Sequence, residues 1–339
     1  MWYNRSGKNN DVAVSTRVRL ARNLSGFPFG DKLSDERAAE LISKVKAVFE
    51  GKSGWEIVDF SALDPVMRAS LAERHIVSPE FADKTGPSAL ITNEESGVYI
   101  MVNEEDHIRI QALLPGLDLE DALSAALEAE AMIGESLDFA FSDKLGYLTH
   151  CPSNLGTGMR ASVMLHLPVY TAAGGIRYLD HGLSKIGLTL RGMAGEGSRA
   201  SGNLYQISNQ VTLGISEEET ISKLSDVVNE IIAKERELRG KLTPASAEAL
   251  SDRVMRDMGV MMYANRIGSA EMMDIYSDVR LGAAMGIVEV PLERLDEMLM
   301  RSMPNTVAAE HMDRLSKSTG SASDRDKLRA EVMREILKN

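Results

Sequence analysis

Val12-Ala13-Val14-Ser15-Thr16-Arg17-Val18-Arg19-Leu20 is the stretch whose reading decides the fold. Val12, Val14, Thr16, Val18 and Leu20 fall on one side of an extended chain, and Ala13, Ser15, Arg17 and Arg19 on the other. Successive side chains of a strand point to opposite faces, so this strand buries one face and presents two arginines on the other. The pattern recurs. Residues 98–102 and 106–114 read as strands around the acidic corner Asn103-Glu104-Glu105-Asp106, and in the second Glu105, His107, Arg109 and Gln111 lie opposite Ile108 and Ile110. Arg160, Ser162, Met164 and His166 alternate with Ala161, Val163, Leu165 and Leu167, and at 188–191 Thr189 and Arg191 lie opposite the leucines.

Short strands are expected at 55–60 and 206–213, and helices at 34–49, 64–74, 118–134 and from Ser216 to about 238. After a linker at Gly240 to Pro244 the pattern is helical to the end, with a methionine-rich stretch at 255–262 that suits an adaptable core or an interface. The prediction is an α+β fold, a largely antiparallel sheet flanked by helices. Residues 1–240 form one domain and 241–339 a helical C-terminal domain. The inner face of the sheet packs on helices, and its other face collects Arg17, Arg19, Arg109, Arg160 and Arg191. Arginines so placed repel one another unless a polyanion sits between them, and a triphosphate fits that requirement.

Two loops adjoin this face. Cys151-Pro-Ser-Asn-Leu-Gly-Thr-Gly-Met-Arg160 combines a thiol, a proline-fixed turn and two glycines ahead of a strand. Arg191-Gly-Met-Ala-Gly-Glu196 is a glycine-broken loop that ends in a carboxylate. Gly51-Lys52-Ser53 is not the end of a Walker A loop, because Lys46 stands where that motif needs glycine.

Composition narrows the class. The chain has 339 residues and a net charge of −12, which disfavours nonspecific nucleic-acid binding. Its single cysteine excludes an intramolecular disulfide and a multi-thiolate metal site within one chain, and no metal site of the protein's own is expected. No apolar run approaches the roughly 18 to 20 residues that cross a bilayer, and the polar N-terminus has no signal-peptide core, so a cytoplasmic location is expected.

The runs CPSNLGTGMR, VNEEDHIRI (102–110) and STRVRLARN (15–23) resemble the guanidino (phosphagen) kinases, and among them the bacterial protein arginine kinases of the McsB type. The resemblance covers nearly the whole chain. It implies the phosphagen kinase catalytic-domain, glutamine synthetase-like fold and phosphoryl transfer from ATP, with Mg²⁺ carried by the nucleotide. By the resemblance, Arg17, Arg19, Arg109, Arg160 and Arg191 grip the nucleotide phosphates, within the runs Ser15-Thr16-Arg17-Val18-Arg19, Arg160-Ala161-Ser162-Val163-Met164 and Arg191-Gly192-Met193-Ala194-Gly195-Glu196. His75 matches a histidine that lies against the nucleotide. Glu105 matches the carboxylate proposed as base and guanidinium clamp, Glu104 its acidic neighbour acting through the solvent shell of Mg²⁺, Glu196 the second guanidinium-binding carboxylate, and Cys151 the reactive thiol.

The resemblance also extends to Arg325-Asp326-Lys327-Leu328-Arg329-Ala330, similar to the RDxxRA signature that lines an allosteric phosphoarginine pocket. Two arginines there are expected to hold the phosphoryl group and Asp326 the remaining guanidinium hydrogens. The chain starts almost directly with its first arginine-bearing strand, which is expected to leave the guanidinium pocket open to an arginine on a protein. The implied partners are protein substrates with accessible arginine, a zinc-binding activator, a Clp ATPase and a second copy of the chain. The implied setting is bacterial stress response and protein quality control. Two alternatives stand beside this reading: a kinase for free arginine, and a phosphoarginine-binding adaptor without turnover.

Overall fold

The computed structural model describes residues 1–193, 201–317 and 320–338. Among them, eight strands form one sheet: β1 (Ala13–Arg22), β2 (Glu56–Asp59), β3 (Ala89–Asn93), β4 (Val98–Val102), β5 (Ile108–Pro115), β6 (Met159–His166), β7 (Leu188–Gly192) and β8 (Leu204–Asn209). Their order is β2-β3-β4-β5-β1-β6-β8-β7, and every neighbouring pair is antiparallel. The alternating stretch is thus the central strand, with β5 on one side and β6 on the other.

One face of the sheet packs on α1 (Asp35–Phe49), α3 (Leu119–Gly134) and α4 (Glu217–Gly240), with α2 (Pro65–Glu73) lying between α1 and α3 in the chain. Val18, Leu20, Ile100, Ile110, Ala161 and Val163 meet Leu41 and Val45 of α1, Ala122, Ala126 and Ile133 of α3, and Leu224 and Val228 of α4. The helical residues recur every three to four positions, which gives each helix a single apolar stripe. Ser216 and Glu219 close a capping box at the start of α4, and three glutamates in its first turn suit the positive end of the helix.

The other face, expected to collect the arginines, is also packed on helices. It is largely roofed by the C-terminal helices α5 (Pro244–Tyr263), α6 (Ser269–Ala284), α7 (Leu292–Arg301), α8 (Pro304–Glu310) and α9 (Ala322–Lys338). Leu90, Tyr99, Met101, Leu113, Met164 and Leu204 of the sheet join Met272, Tyr276, Leu295, Met298 and Met333 in a second core that includes Trp2 and Tyr3. Apolar side chains on both faces of these strands require cover on both, and the methionines of α5 to α9 supply much of it. The arginines occupy what remains.

Three local differences have local causes. Against β6 the register shifts between Ala13 and Ser15, so Ala13 enters the first core and Val14 the second, the reverse of simple alternation. The strand expected at 206–213 ends at Asn209, whose side chain accepts from the N–H of Ala161 and donates to the carbonyls of Met159 and Val211, diverting the chain. β3, Ala89-Leu-Ile-Thr-Asn93, lies outside the expected strands; it forms a tight hairpin with β4, reached through Gly97 at φ +69°.

Two buried networks tie the C-terminal helices to the sheet. Arg280 of α6 bonds Asp296 of α7, at 2.9 Å from Nε, and donates to the carbonyls of Asn10 and Asp11 just before β1. Glu73, the last residue of α2, accepts from the backbone N–H groups of Asn305 and Thr306 at the start of α8.

Candidate active site

The sheet register brings the arginines together. Across β1 and β6, Arg19 stands opposite Arg160; across β1 and β5, Arg109 stands opposite Ala21. On the far side of β8, Arg191 faces Gln206, whose Oε1 accepts from Arg17 Nη2 at 2.9 Å. Like charges directly opposite on a sheet are unfavourable. Burial, reinforced by Arg109 and Arg160, pushes Arg17 down to about 10; burial, then Arg17, Arg109 and Arg160, holds Arg19 well below the usual guanidinium range. Cations kept in such surroundings form a receptor for a polyanion.

A cavity of about 320 Å³ opens here, lined by Arg19, Arg109, Arg160, Glu105 and Cys151 together with Glu80, Ser153 and Asn154. A smaller recess is lined by Ser15, Arg17, His75, Ser162, Met164 and Gln206. His75 has φ +61° and is half-buried, and its buried Nε2 has no hydrogen-bond partner among the described residues. Burial, with Arg17 and Arg19 nearby, lowers its pKa to about 3, so it is neutral at physiological pH.

The acidic corner separates its two glutamates by role. Asn103, at φ +65°, folds the chain back so that the Asn103 N–H meets the His107 carbonyl at 2.7 Å and the Glu104 N–H meets the Asp106 carbonyl at 3.0 Å. Glu104 is consumed: its Oε1 accepts from Arg109 Nη1 at 2.9 Å and Ser78 Oγ at 2.7 Å, and its Oε2 accepts from the N–H of Glu105 at 2.7 Å. Glu105 meets Arg109 Nη2 at 3.3 Å, and its side chain is 39% exposed against 3% for Glu104. Burial, assisted by Asp106 and Glu104 against the opposing pull of Arg109, raises the Glu105 pKa.

Cys151 Sγ lies 3.0 Å from Ser153 Oγ on the other wall. Its loop is strung on Thr212, whose Oγ1 donates to the carbonyls of Ser153 and Leu155. Gly156, at φ +103°, approaches so closely that a Cβ would stand 2.1 Å from the Thr212 carbonyl oxygen, which only glycine permits.

Not every residue named from the sequence faces this site. Val18, Ala161 and Val163 are buried in the first core, and the Thr16 hydroxyl is engaged with the Gly116 carbonyl and the Asp118 N–H. Gly192 pairs with Tyr205, and Met193 packs against the second core. Ala194, Gly195 and Glu196 lie outside the described residues.

The arginine pair expected around Asp326 takes a different form. Arg329 is 2% exposed and donates to the carbonyls of Ser302 and Ile267, both at 2.8 Å, and to Asp326 at 2.5 Å. Leu328 and Ala330 are buried beside it. Arg325, bonded to the Gly320 carbonyl, and the exposed Lys327 are the basic groups open to solvent. The helix period explains this: Arg329 falls within the buried stripe of α9 with Leu328, Val332, Met333 and Ile336, where its guanidinium satisfies carbonyls between helices, while Arg325 stands at the open first turn.

Sequence reasoning passed over Gln206, Ser78, Lys84 and Asp106. Gln206 could have been found by the same alternation in β8, where Tyr205 and Ile207 enter the first core. Ser78 and Lys84, which donates to the Glu104 carbonyl at 3.0 Å, reach the corner only through the tertiary fold.

The family model for ATP:guanido phosphotransferase, C-terminal catalytic domain, matches residues 37–238, and that for the protein-arginine kinase McsB C-terminal domain matches residues 247–339. Among solved structures, lombricine kinase superposes with a TM-score of 0.60 at 25% identity, covering 71% of each chain. A duplicated taurocyamine kinase from Schistosoma mansoni, bound to transition state analog components, does so with a TM-score of 0.58 at 29% identity, over 68% of this chain and 33% of that one. The chain belongs to the ATP:guanido phosphotransferase family. Its relatives over nearly the full length are protein-arginine kinases: that of Clostridium acetobutylicum is 40% identical over 93% of this chain and 94% of its own, and that of Clostridium tetani 39% identical over 100% and 98%. Among the described residues no helix is long and apolar enough to cross a membrane.

Proposed function

We propose that this chain is an ATP-dependent protein arginine kinase that transfers the γ-phosphoryl group to arginine side chains of proteins. The observation that carries this reading is the cavity in which Glu105 stands against Arg19, Arg109 and Arg160, beside Cys151. A guanidinium is a poor nucleophile because it is protonated and delocalised. Glu105, its pKa raised by burial and its carboxylate open to the cavity, binds one edge of the substrate guanidinium and takes its proton as the N–P bond forms and the bond to the β-phosphate oxygen breaks. ADP leaves with that electron pair. Arg17, Arg19, Arg109, Arg160 and Arg191 grip the phosphates, and neutral His75, which shares a recess with Arg17, lies against the nucleotide. Glu196 clamps the other edge of the guanidinium, and Cys151 helps position it.

The arginine face fits a polyanion because its cations are held at a cost that an anion relieves. Mg²⁺ enters with the nucleotide and supplies charge neutralisation there. Glu104, named from the sequence as acting on that ion through solvent, is instead 3% exposed with both oxygens bonded within the protein, and by accepting from Arg109 it orients a phosphate-gripping arginine. Residues 1–240 are assigned to catalysis, and 241–339 to dimerisation and phosphoarginine sensing, the latter centred on Arg325 and Asp326. The phosphoarginine product marks proteins for a Clp protease in the cytoplasm, with a zinc-binding activator as partner.

The test is incubation with Mg-ATP and either an unfolded arginine-rich protein or free L-arginine, followed by mapping of acid-labile phosphate by mass spectrometry under non-acidic conditions. Phosphate on protein arginines that disappears with Glu105→Ala is the expected result. Turnover of free arginine alone assigns the chain to the free-arginine kinases, and phosphoarginine binding without transfer makes it an adaptor.

A further inference from the structure

Asp106 immediately follows Glu105 and is 1% exposed. Its Oδ1 accepts two short hydrogen bonds, from Asn23 Nδ2 at 2.7 Å and from the N–H of His150 at 2.6 Å, while Oδ2 is buried with no partner among the described residues. A buried carboxylate oxygen without a donor is unfavourable, so this group is not there for packing. Its two bonds join three segments: the end of β1, the acidic corner and the loop before the thiol. Glu105 is the residue before Asp106, and Cys151 is the residue after His150. One carboxylate oxygen therefore links the backbone beside the carboxylate wall of the cavity to the backbone beside its thiol wall.

The surroundings stiffen that link. Asn23 Oδ1 accepts from the N–H of His107 at 2.8 Å, and its Nδ2 also reaches the Leu148 carbonyl at 3.0 Å. On the thiol side, Thr149 Oγ1 donates to the Cys151 carbonyl at 2.8 Å. The phosphate-gripping arginines, by contrast, are placed by the strand ladders on which they stand, although Arg109 also bonds Glu104 and Glu105 at the corner.

We infer that Asp106 is a positioning residue for phosphoryl transfer: it sets the separation between Glu105 and the Cys151 wall, and so the line along which the substrate guanidinium meets the phosphorus. This rests on the function proposed above. Loss of the strut acts on the geometry of transfer rather than on nucleotide binding, and small misplacements at a reacting centre are costly in kcat.

The experiment compares wild type, Asp106→Ala and Asp106→Asn with Mg-ATP and a protein substrate, and follows iodoacetamide alkylation of Cys151. Asn retains the Oδ1 acceptor. The expected result is a kcat lower by about 30-fold or more in D106A, with the KM for ATP within about threefold, and recovery to within about fivefold of wild type in D106N. Alkylation of Cys151 changes about fivefold or more in D106A and little in D106N. A D106A kcat within about twofold of wild type, a KM for ATP moving in step with kcat, or a D106N as impaired as D106A overturns the inference. If D106A does not fold, hydrogen exchange of the wild-type His150 amide decides: protection like that of the sheet amides supports the strut, and exchange at open-loop rates overturns it. If the wild type makes no phosphoarginine at all, the proposed function falls and this inference with it; if it does and the ratios above are not met, only the role of Asp106 falls.

Discussion

Glu104 and Glu105 are adjacent carboxylates that the fold assigns to different tasks. Glu104 has its oxygens taken by Arg109, Ser78 and the N–H of Glu105, whereas Glu105 keeps a face to the cavity. Glu105→Gln should therefore reduce kcat by about 10² to 10⁴, the range of a lost general base, with a smaller effect on the KM for ATP. Because a base works only when ionised and burial raises this one, the acidic limb of kcat/KM should lie above the ordinary carboxylate range and not at it. A limb near the pKa of a free glutamate in a pH–rate profile would count against Glu105 as the base. Arg19 makes a second test. Arg19→Gln removes a half-buried cation facing Arg160, so the nucleotide-free protein should melt at an equal or higher temperature while the KM for ATP rises about tenfold or more. Thermal melts with and without Mg-ATP separate the two effects.

Among the elements, α2 connects the nucleotide side to the C-terminal helices. Glu73 caps α8 by accepting two backbone N–H groups and the Asn305 and Thr306 side chains, and His75 follows two residues later. Glu73→Ala should cost about 1 to 2 kcal/mol in urea unfolding, the scale of a lost helix cap with its favourable charge at the positive helix end. An unchanged midpoint would show that water replaces the carboxylate. The elements also mark how far local pattern reaches. The alternation of β1, β5 and β6 was legible because Arg17 and Arg19, Arg109 and Gln111, and Arg160 and Ser162 each alternate with apolar residues. The bulge at Ala13 to Ser15 was not, since a bulge is a property of two paired strands. β3 was missed because a five-residue run carries too little period to separate strand from loop.

Across the molecule, two cores share one sheet, and two histidines, the half-buried His75 and the buried His166, are held neutral at physiological pH. Burial with Arg17 and Arg19 takes His75 to about 3, and burial with Arg280 and Arg239 takes His166 well below its usual range. Unfolded histidines bind a proton below about 6.5, which these folded ones resist. Their contribution is therefore fully present above that pH and is lost as pH falls, by about 1.4 kcal/mol per pH unit for each in the first units below it. Urea unfolding at pH 7, 6 and 5 measures the slope, and His75→Gln should remove roughly its own share. A slope unchanged in that variant would assign the acid sensitivity elsewhere.

The sequence by itself determined the antiparallel sheet, the arginines on one of its faces and the carboxylate corner beside them, because period-two alternation and turn chemistry are local properties. It also carried the family, through runs of consecutive residues. Only the tertiary structure decided that the arginine face is mostly roofed by the C-terminal helices, that Glu104 is buried with its oxygens taken while Glu105 keeps a face to the cavity, and that Arg329 is buried among carbonyls. Each of these depends on which side chains meet across long separations in the chain. The burial that results, more than residue type, sets which charges are left free to act.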